Sequence, residues 1–477
     1  MIKKYTIKSD LDFKNKNVPL YLQIVEDVIA RISSGILKHD DMLPPTREWA
    51  AELGVSRKTI VHAVELLLVK GVLYSKERRG LYVNSPQTHV ASSAVLPLPG
   101  IGGGANGGDA RAAKPRIVVN DGFPDTRMQP FREYSRAYRK IFNRMAQWRQ
   151  LGYDDSAGVP KFRTALCNHL WTSYSLNARE DELAVVRGSQ MALFLIANAV
   201  LSRGDVVALE SPGYGKAREA FINAGIGVVD VPVDRHGIDT ESLERLCHDV
   251  KITAVYVTPR YQYPTTVTMS MARRQRLRDL SLKYGFVVIE DDFGSNYTFS
   301  DHKMMPLSSM IKKDRYIYIG TFSKVFAPGI RLGYVSAAAE TIRRIVDYRA
   351  LIDIHGDAVL ERAMLELIEN GDMKRHIRGA VRTYKGRLAF ASDEIHRILG
   401  DDVDYTKPGG GLAVWIGLGK KCDANTFHRL MRARGVDIPV FTLDDGAIGV
   451  RIGYASMDSG EITDVLSTMR SVLEGLQ

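Results

Sequence analysis

The chain has 477 residues, 45% apolar and 25% charged, the make-up of a globular protein long enough for more than one domain. Its three cysteines, Cys167, Cys247 and Cys422, stand far apart with no CxxC pair, which argues against a disulfide framework or zinc site and predicts a reducing, cytoplasmic setting. The net charge of +10 fits a polyanionic partner; no apolar run reaches the ~18–20 residues needed to cross a bilayer, and no apolar stretch follows Lys3 and Lys4 as in a signal peptide.

From Pro19 to Ser34, apolar residues at Leu20, Ile24, Val28 and Ile32 predict one face of a helix that Gly35 stops. Thr46 is placed to cap a short second helix carrying Trp49 and Leu53, and Gly54 permits a turn. Ser56 caps a third helix with Ile60, Val64, Leu67 and Leu68 inward. Residues 72–75 and 81–83 read as short strands joined by a basic wing, Glu77-Arg78-Arg79-Gly80.

A helix-turn-helix sets the first residues of its last helix against base edges in the major groove. Here those are Arg57, Lys58 and Thr59, with Ser56 and His62 alongside. Arg57 can pair bidentately with guanine, Ser56 and Thr59 can donate to phosphate, and Arg47 can anchor the second helix on the backbone. Arg78 and Arg79 can reach a minor groove or phosphates. Pro19-Leu20-Tyr21-Leu22-Gln23-Ile24, Leu43-Pro44-Pro45-Thr46-Arg47, Val55-Ser56-Arg57-Lys58-Thr59-Ile60 and Gly71-Val72-Leu73 together resemble, in order and spacing, the winged-helix domain of the GntR family. The wing departs from it: Gly80-Leu81-Tyr82-Val83 stands where the family has Gly-Thr-Phe-Val. Residues 1–83 are thus expected to form an α+β winged helix-turn-helix that binds double-stranded operator DNA.

Residues 84–115 are rich in Gly, Pro, Ala and Ser, including Gly102-Gly103-Gly104-Ala105-Asn106-Gly107-Gly108, and predict a flexible linker. From residue 116 to 477, strands and helices alternate. Apolar runs at 183–186, 206–209, 252–257, 286–289 and 315–319 suit strands covered on both faces, hence a mostly parallel α/β sheet. After Ala338 the chain turns helical, then mixed, as a smaller C-terminal α/β subdomain would.

The ends of these strands carry the parts that pyridoxal phosphate (PLP) chemistry requires: an amine, a carboxylate for the pyridine nitrogen, a phosphate cradle and a stacking ring. Lys324 follows a strand in Gly320-Thr321-Phe322-Ser323-Lys324, and Arg331 can pair with a phosphate. Asp291, in Glu290-Asp291-Asp292-Phe293, is the preferred pyridine partner, with Asp292 or Glu290 as alternatives. Ser189 and Gln190 open a helix after Gly188, where backbone amides favour an anion. Tyr214 offers a stacking ring, Gln262 or Tyr263 a contact to the phenolic oxygen, and Arg451 a carboxylate clamp.

Residues 118–475 resemble a fold-type-I aminotransferase, and their fusion to a GntR-type winged helix is similar to the MocR/GabR family of PLP-dependent regulators. The resemblance implies that Lys324 holds PLP, Asp291 faces the pyridine nitrogen, Tyr214 stacks, and Ser189, Gln190, Thr321 and Arg331 surround the phosphate. Arg451 would hold an effector's carboxylate, and two chains would form a head-to-tail homodimer. The implied function is transcription regulation by PLP or by an amine or amino-acid effector; the alternative is a working aminotransferase with a DNA-binding appendage. No catalytic residue or metal site is assigned. Two positions depart from the family: Phe293 replaces a tyrosine that would donate to the cofactor's phenolate oxygen, and Pro264-Thr265-Thr266 replaces a turn ending in glycine. Threonine tolerates positive φ poorly.

Overall fold

The computed structural model describes residues 19–76, 80–84, 115–145, 152–299 and 304–476. Arg78, Arg79 and nearly all of the expected linker lie outside them. The chain divides into two compact units, Met1–Arg111 and Ala112–Gln477.

In the first unit, helices α1 (Leu20–Ser33), α2 (Thr46–Leu53) and α3 (Arg57–Val69) precede an antiparallel hairpin of β1 (Leu73–Lys76) and β2 (Gly80–Val83). Ile24, Val28, Trp49, Leu53, Ile60, Leu67 and Val83 share its core. Thr46 is the first helical residue rather than the cap: Pro45 occupies the cap position, its fixed φ suiting it to enter a helix, and no side chain caps α2. Gly54, at φ 64°, ends α2 in the left-handed region and makes the turn.

The second unit starts with β3 (Ile117–Val118), α4 (Phe131–Met145) and α5 (Pro160–Tyr174). Next come β4 (Leu183–Val186), α6 (Gly188–Leu195), β5 (Val206–Ser211), α7 (Gly215–Asn223), β6 (Gly227–Asp234), β7 (Gly237–Ile238) and α8 (Thr240–Asp249). Then follow β8 (Ala254–Val257), α9 (Met271–Tyr284), β9 (Val287–Asp292), β10 (Tyr316–Thr321) and β11 (Gly333–Ala337). The eight strands from β4 to β11 form one sheet in the order β4-β11-β10-β9-β8-β5-β6-β7. Pairings β10–β9, β9–β8, β8–β5 and β5–β6 are parallel, whereas β11 runs antiparallel to both neighbours. Alternate residues feed two cores: Leu183, Val185 and Val288 face one, Ala184, Val186 and Ile289 the other. Burial on both faces explains the continuously apolar runs.

Helices α10 (Ala339–Asp353), α11 (Ala358–Glu369) and α12 (Asp372–Leu399) follow. Ile342 and Met364 still pack into the large sheet's cores, and the change of core falls within α12, between Met373 and Ala380. The smaller subdomain therefore begins beyond Ala338. Its strands β12 (Asp404–Tyr405) and β13 (Val414–Gly419), helix α13 (Ala424–Ala433), strands β14 (Val436–Asp437), β15 (Val440–Thr442) and β16 (Ile448–Ile452), and helix α14 (Ser459–Glu474) complete the chain. Four strands make a sheet in the order β12-β13-β16-β15. β14 pairs in parallel with β3, which draws residues 117–123 onto this subdomain. No helix among the described residues is long and apolar enough to cross a membrane.

Candidate functional site

A cavity of about 330 Å3 opens at the carboxyl ends of the central strands. Ser189, Gln190, Tyr214, Tyr263, Asp291, Thr321, Lys324, Arg331 and Arg451 all line it. Lys324 stands just beyond β10; its Nζ donates to the Gly122 carbonyl at 2.9 Å and lies 4.7 Å from the centre of the Phe123 ring. Burial pushes the amine down to about 8 from its ordinary 10.5, opposed by Asp121 and Asp291 and aided by Arg451.

Strand alternation separates the three acids of β9. Glu290 accepts from the amides of Leu307 and Ser308, and Asp292 pairs with the buried Arg260 at 3.0 Å, so both are engaged away from the cavity. Asp291 alone of the three lines it, accepting from Tyr256 Oη at 3.0 Å and Ser189 Oγ at 3.4 Å. Burial lifts its carboxyl to about 7, against the hydrogen bond from Tyr256.

Opposite, α6 presents the amides of its first turn, which lack intrahelical partners. Arg331, in the left-handed region at φ 46°, reaches across to the Arg187 carbonyl at 3.1 Å and Ser323 Oγ at 3.4 Å. Gly188 leaves space for that guanidinium; a Cβ there would lie 2.9 Å from Arg331 Nη2. No carboxylate among the described residues pairs with Arg331. The Ser189 hydroxyl turns to Asp291 rather than toward Arg331, and the Thr321 hydroxyl accepts the Ser323 amide at 3.1 Å. Gln190 Nε2 donates to Tyr214 Oη at 3.0 Å, holding that ring, and the Tyr263 ring meets it edge-on at 5.3 Å.

Arg451 is 3% exposed, yet its partners are backbone carbonyls: Nε donates to Asp121 at 2.8 Å and Nη1 to Pro264 at 2.7 Å. Gln262 does not line the cavity; its amide ties Pro212 to Tyr263, donating to both carbonyls at 2.7 Å. Thr266 takes the glycine-like conformation at φ 60° and is buried, so the turn keeps its shape under strain. Phe293 lines the cavity with a ring that can donate no hydrogen bond.

On the first unit, Arg47, Arg57 and Lys58 are exposed and form no ion pair among the described residues. Ser56 caps α3, accepting the Thr59 amide at 3.1 Å, and the two hydroxyls share a 2.8 Å hydrogen bond. One hydroxyl proton is thereby used within the protein rather than left for phosphate. His62 stacks on Tyr21 at 4.3 Å, which ties α3 to α1.

The family of aminotransferase class I and II matches residues 129–469. The chain belongs to that family. The bacterial regulatory proteins of the gntR family match residues 20–83, and the two domains together make a MocR-type architecture. The "Probable rhizopine catabolism regulatory protein MocR" of Rhizobium meliloti is 27% identical, over 97% of this chain and 96% of that protein. Aromatic-amino-acid aminotransferase 1 of Thermococcus litoralis is 30% identical over 60% of this chain and 70% of its own. Among solved structures, LysN, the alpha-aminoadipate aminotransferase of Thermus thermophilus complexed with N-(5'-phosphopyridoxyl)-L-leucine, superposes with a TM-score of 0.69 at 25% identity, covering 76% of this chain and 92% of that one.

In this aminotransferase-family unit, further cavity residues lie outside the strand-end motifs. Asp121 and Phe123 belong to a turn braced by Asn120, whose Oδ1 accepts the amides of Gly122 at 2.9 Å and Phe123 at 2.7 Å. Asn120-Asp121-Gly122 carries a turn signal but nothing that points to a site more than two hundred residues onward. Tyr256 lies inside an apolar strand, where only its hydroxyl distinguishes it.

Proposed function

We propose that this protein is a transcription regulator that binds duplex DNA through its winged helix and holds PLP at Lys324 to detect a small amine or amino acid. The observation that carries the reading is the convergence of Lys324, Asp291, Arg331 and the start of α6 on one cavity. The donor set fits the cofactor. Asp291 is a buried carboxyl with hydroxyl donors but, among the described residues, no ion-paired cation, which suits a protonated pyridine nitrogen. Arg331 and the α6 amides suit a phosphate, and Tyr214 supplies a ring.

When bound, PLP supplies an aldehyde carbon that condenses with a primary amine and releases water. The chain's own groups set the conditions for that. Burial keeps much of the Lys324 amine neutral near pH 8, so it can act as a nucleophile. With PLP bound, Asp291 would pair with the protonated ring nitrogen, and Arg451 would offer a cation to an incoming carboxylate. An amine that exchanges with Lys324 shifts the DNA-binding equilibrium only through its different affinity for the two states.

PLP titration should turn the wild type yellow and leave Lys324→Ala colourless; a colourless wild type would refute the cofactor assignment. The second reading, a working aminotransferase, is favoured by the amine of Lys324, which once freed could move protons. Steady turnover of an amino donor with a keto acid would select it, whereas an amine-induced colour change without turnover selects the sensor. Exposed Tyr153, Leu351, Ile352 and Ile354 support assembly of two copies, which the resemblance makes head-to-tail.

A further inference from the structure

Helix α12 carries Lys374, Arg375, Arg378, Arg382, Lys385 and Arg387, and no Asp or Glu stands between Met373 and Ser392. Arg375 pairs with Asp372, and Arg387 with Asp125. Lys374, Arg378, Arg382 and Lys385 are exposed and form no ion pair among the described residues. Their spacing of four, four and three residues sets them on one side of the helix.

A basic helix elsewhere in the unit is treated differently. On α9, Arg273 pairs with Asp234 and Asp239, Arg276 and Lys283 pair with Glu244, and Arg278 pairs with Asp279. The fold thus supplies acids to the cations of α9 and none to this face of α12.

Two glycines add an independent observation. Gly379 and Gly386 lie in the interior of α12, exposed, beside Arg378, Arg382 and Lys385. A Cβ at either would meet nothing within 4 Å, and neither has a positive φ. Packing and turn geometry therefore do not account for them, and each lowers helix stability relative to alanine. They leave the helix backbone open to close approach by a rigid partner.

At the rise of an α-helix, Lys374 to Lys385 spans about 16 Å, over which one strand of duplex DNA presents roughly five phosphates. Near its start the stripe borders a groove of about 710 Å3, where Lys161 joins Lys374 and Arg378 against one acid, Glu369. The same chain carries a gntR-family DNA-binding unit, so duplex DNA is the polyanion at hand. We propose that this face of α12 is a second DNA contact, outside the winged helix, that holds the phosphate backbone without reading sequence.

The test uses the full-length protein and a random-sequence duplex of about 60 base pairs, with affinity measured over a salt series. Arg378→Gln, Arg382→Gln and Lys385→Gln together remove three surface charges and break no ion pair among the described residues. This triple variant should reduce the slope of log affinity against log salt by about two to three, and weaken binding about tenfold or more near 0.1 M salt. A control with Arg235→Gln, Lys251→Gln and Lys312→Gln loses the same net charge from exposed positions on other elements, and should keep the wild-type slope. Gly379→Gln with Gly386→Gln retains every charge; it should raise the melting temperature yet weaken duplex binding severalfold. An unchanged slope in the α12 triple variant, an equal loss in the control, or full affinity in the glycine variant would overturn the proposal. So would dissociation of the triple variant into monomers on sedimentation, which would mark the face as a contact between copies. A wild type that binds no duplex would remove the DNA-binding reading as well; a wild type that binds while the α12 variants match it removes this inference alone.

Discussion

Gly188 and Arg331 are complementary in shape: the guanidinium occupies the space a side chain at residue 188 would fill, with Nη2 2.9 Å from the site of a Cβ. Gly188 also sits at φ 77°, where any other residue is strained. Gly188→Ala should thus displace Arg331, weaken PLP binding by about tenfold or more, and lower stability by about 1–2 kcal/mol. Cofactor titration with a thermal melt of the cofactor-free protein separates the two effects.

The Lys324 amine, depressed to about 8, should give cofactor loading a pH dependence. Only the neutral amine attacks the aldehyde, so the loading rate should rise with pH and level off above about 8 rather than near 10.5. Asp121 raises this value, so Asp121→Asn should move the midpoint lower. Stopped-flow absorbance across pH 6–10 (roughly two units either side of the midpoint) checks both; a midpoint near 10 would contradict the burial of the amine.

Asp291 should make the cofactor-free protein less stable as pH rises. Its folded value of about 7 exceeds the ordinary 3.8, so the folded state holds a proton that the unfolded chain has released. Its favourable contribution at low pH is lost progressively up to about 7. Asp291→Asn removes that loss and should stabilise the empty protein at pH 8 by about 1–3 kcal/mol while weakening PLP binding. Denaturant melts at two pH values distinguish this from a packing effect, which would not vary with pH.

Thr266 carries a β-branched side chain at φ 60°. Thr266→Gly should relieve the strain and raise stability by about 1 kcal/mol, net of the small buried methyl it removes. A lower melting temperature would mean that packing of the buried side chain outweighs backbone strain.

At the DNA-binding unit, Arg57→Ala should cost about 1–3 kcal/mol on the cognate site and relax sequence preference there. Arg47→Ala should weaken cognate and random duplexes alike and reduce the salt slope by about one. Binding to both duplexes over a salt series provides the comparison.

Much of this pocket was readable because its parts cluster at strand ends. Lys324, Asp291 and Ser189 each follow an apolar run, and a parallel sheet aligns those ends along one edge. β6 was not readable: only Val231 within it is buried, Pro232 interrupts it, and only one neighbouring strand pairs in parallel with it. β11 was hidden by the glycine and serine of Gly333-Tyr334-Val335-Ser336, residues that fit a crowded sheet but lack an apolar signature. Residues 72–75 and 81–83 read as strands because aromatic and branched residues lie between glycine turn signals, whereas Pro45 at the start of α2 acted through backbone geometry that the capping rule for Thr46 ignored. Asp121 was out of reach because its position depends on a long-range pairing, β3 with β14.

The turn at 120–123 also has mechanical leverage. Its carbonyl oxygens receive Lys324 through Gly122 and Arg451 through Asp121. A ligand that recruits both removes two of the turn's tethers while leaving those from Asn120 in place. Upstream, the backbone passes through β3 toward residues 84–115 and the winged helix. A ligand engaging Lys324 and Arg451 would thus leave the turn held by Asn120, through the Gly453 amide and the Ser456 hydroxyl.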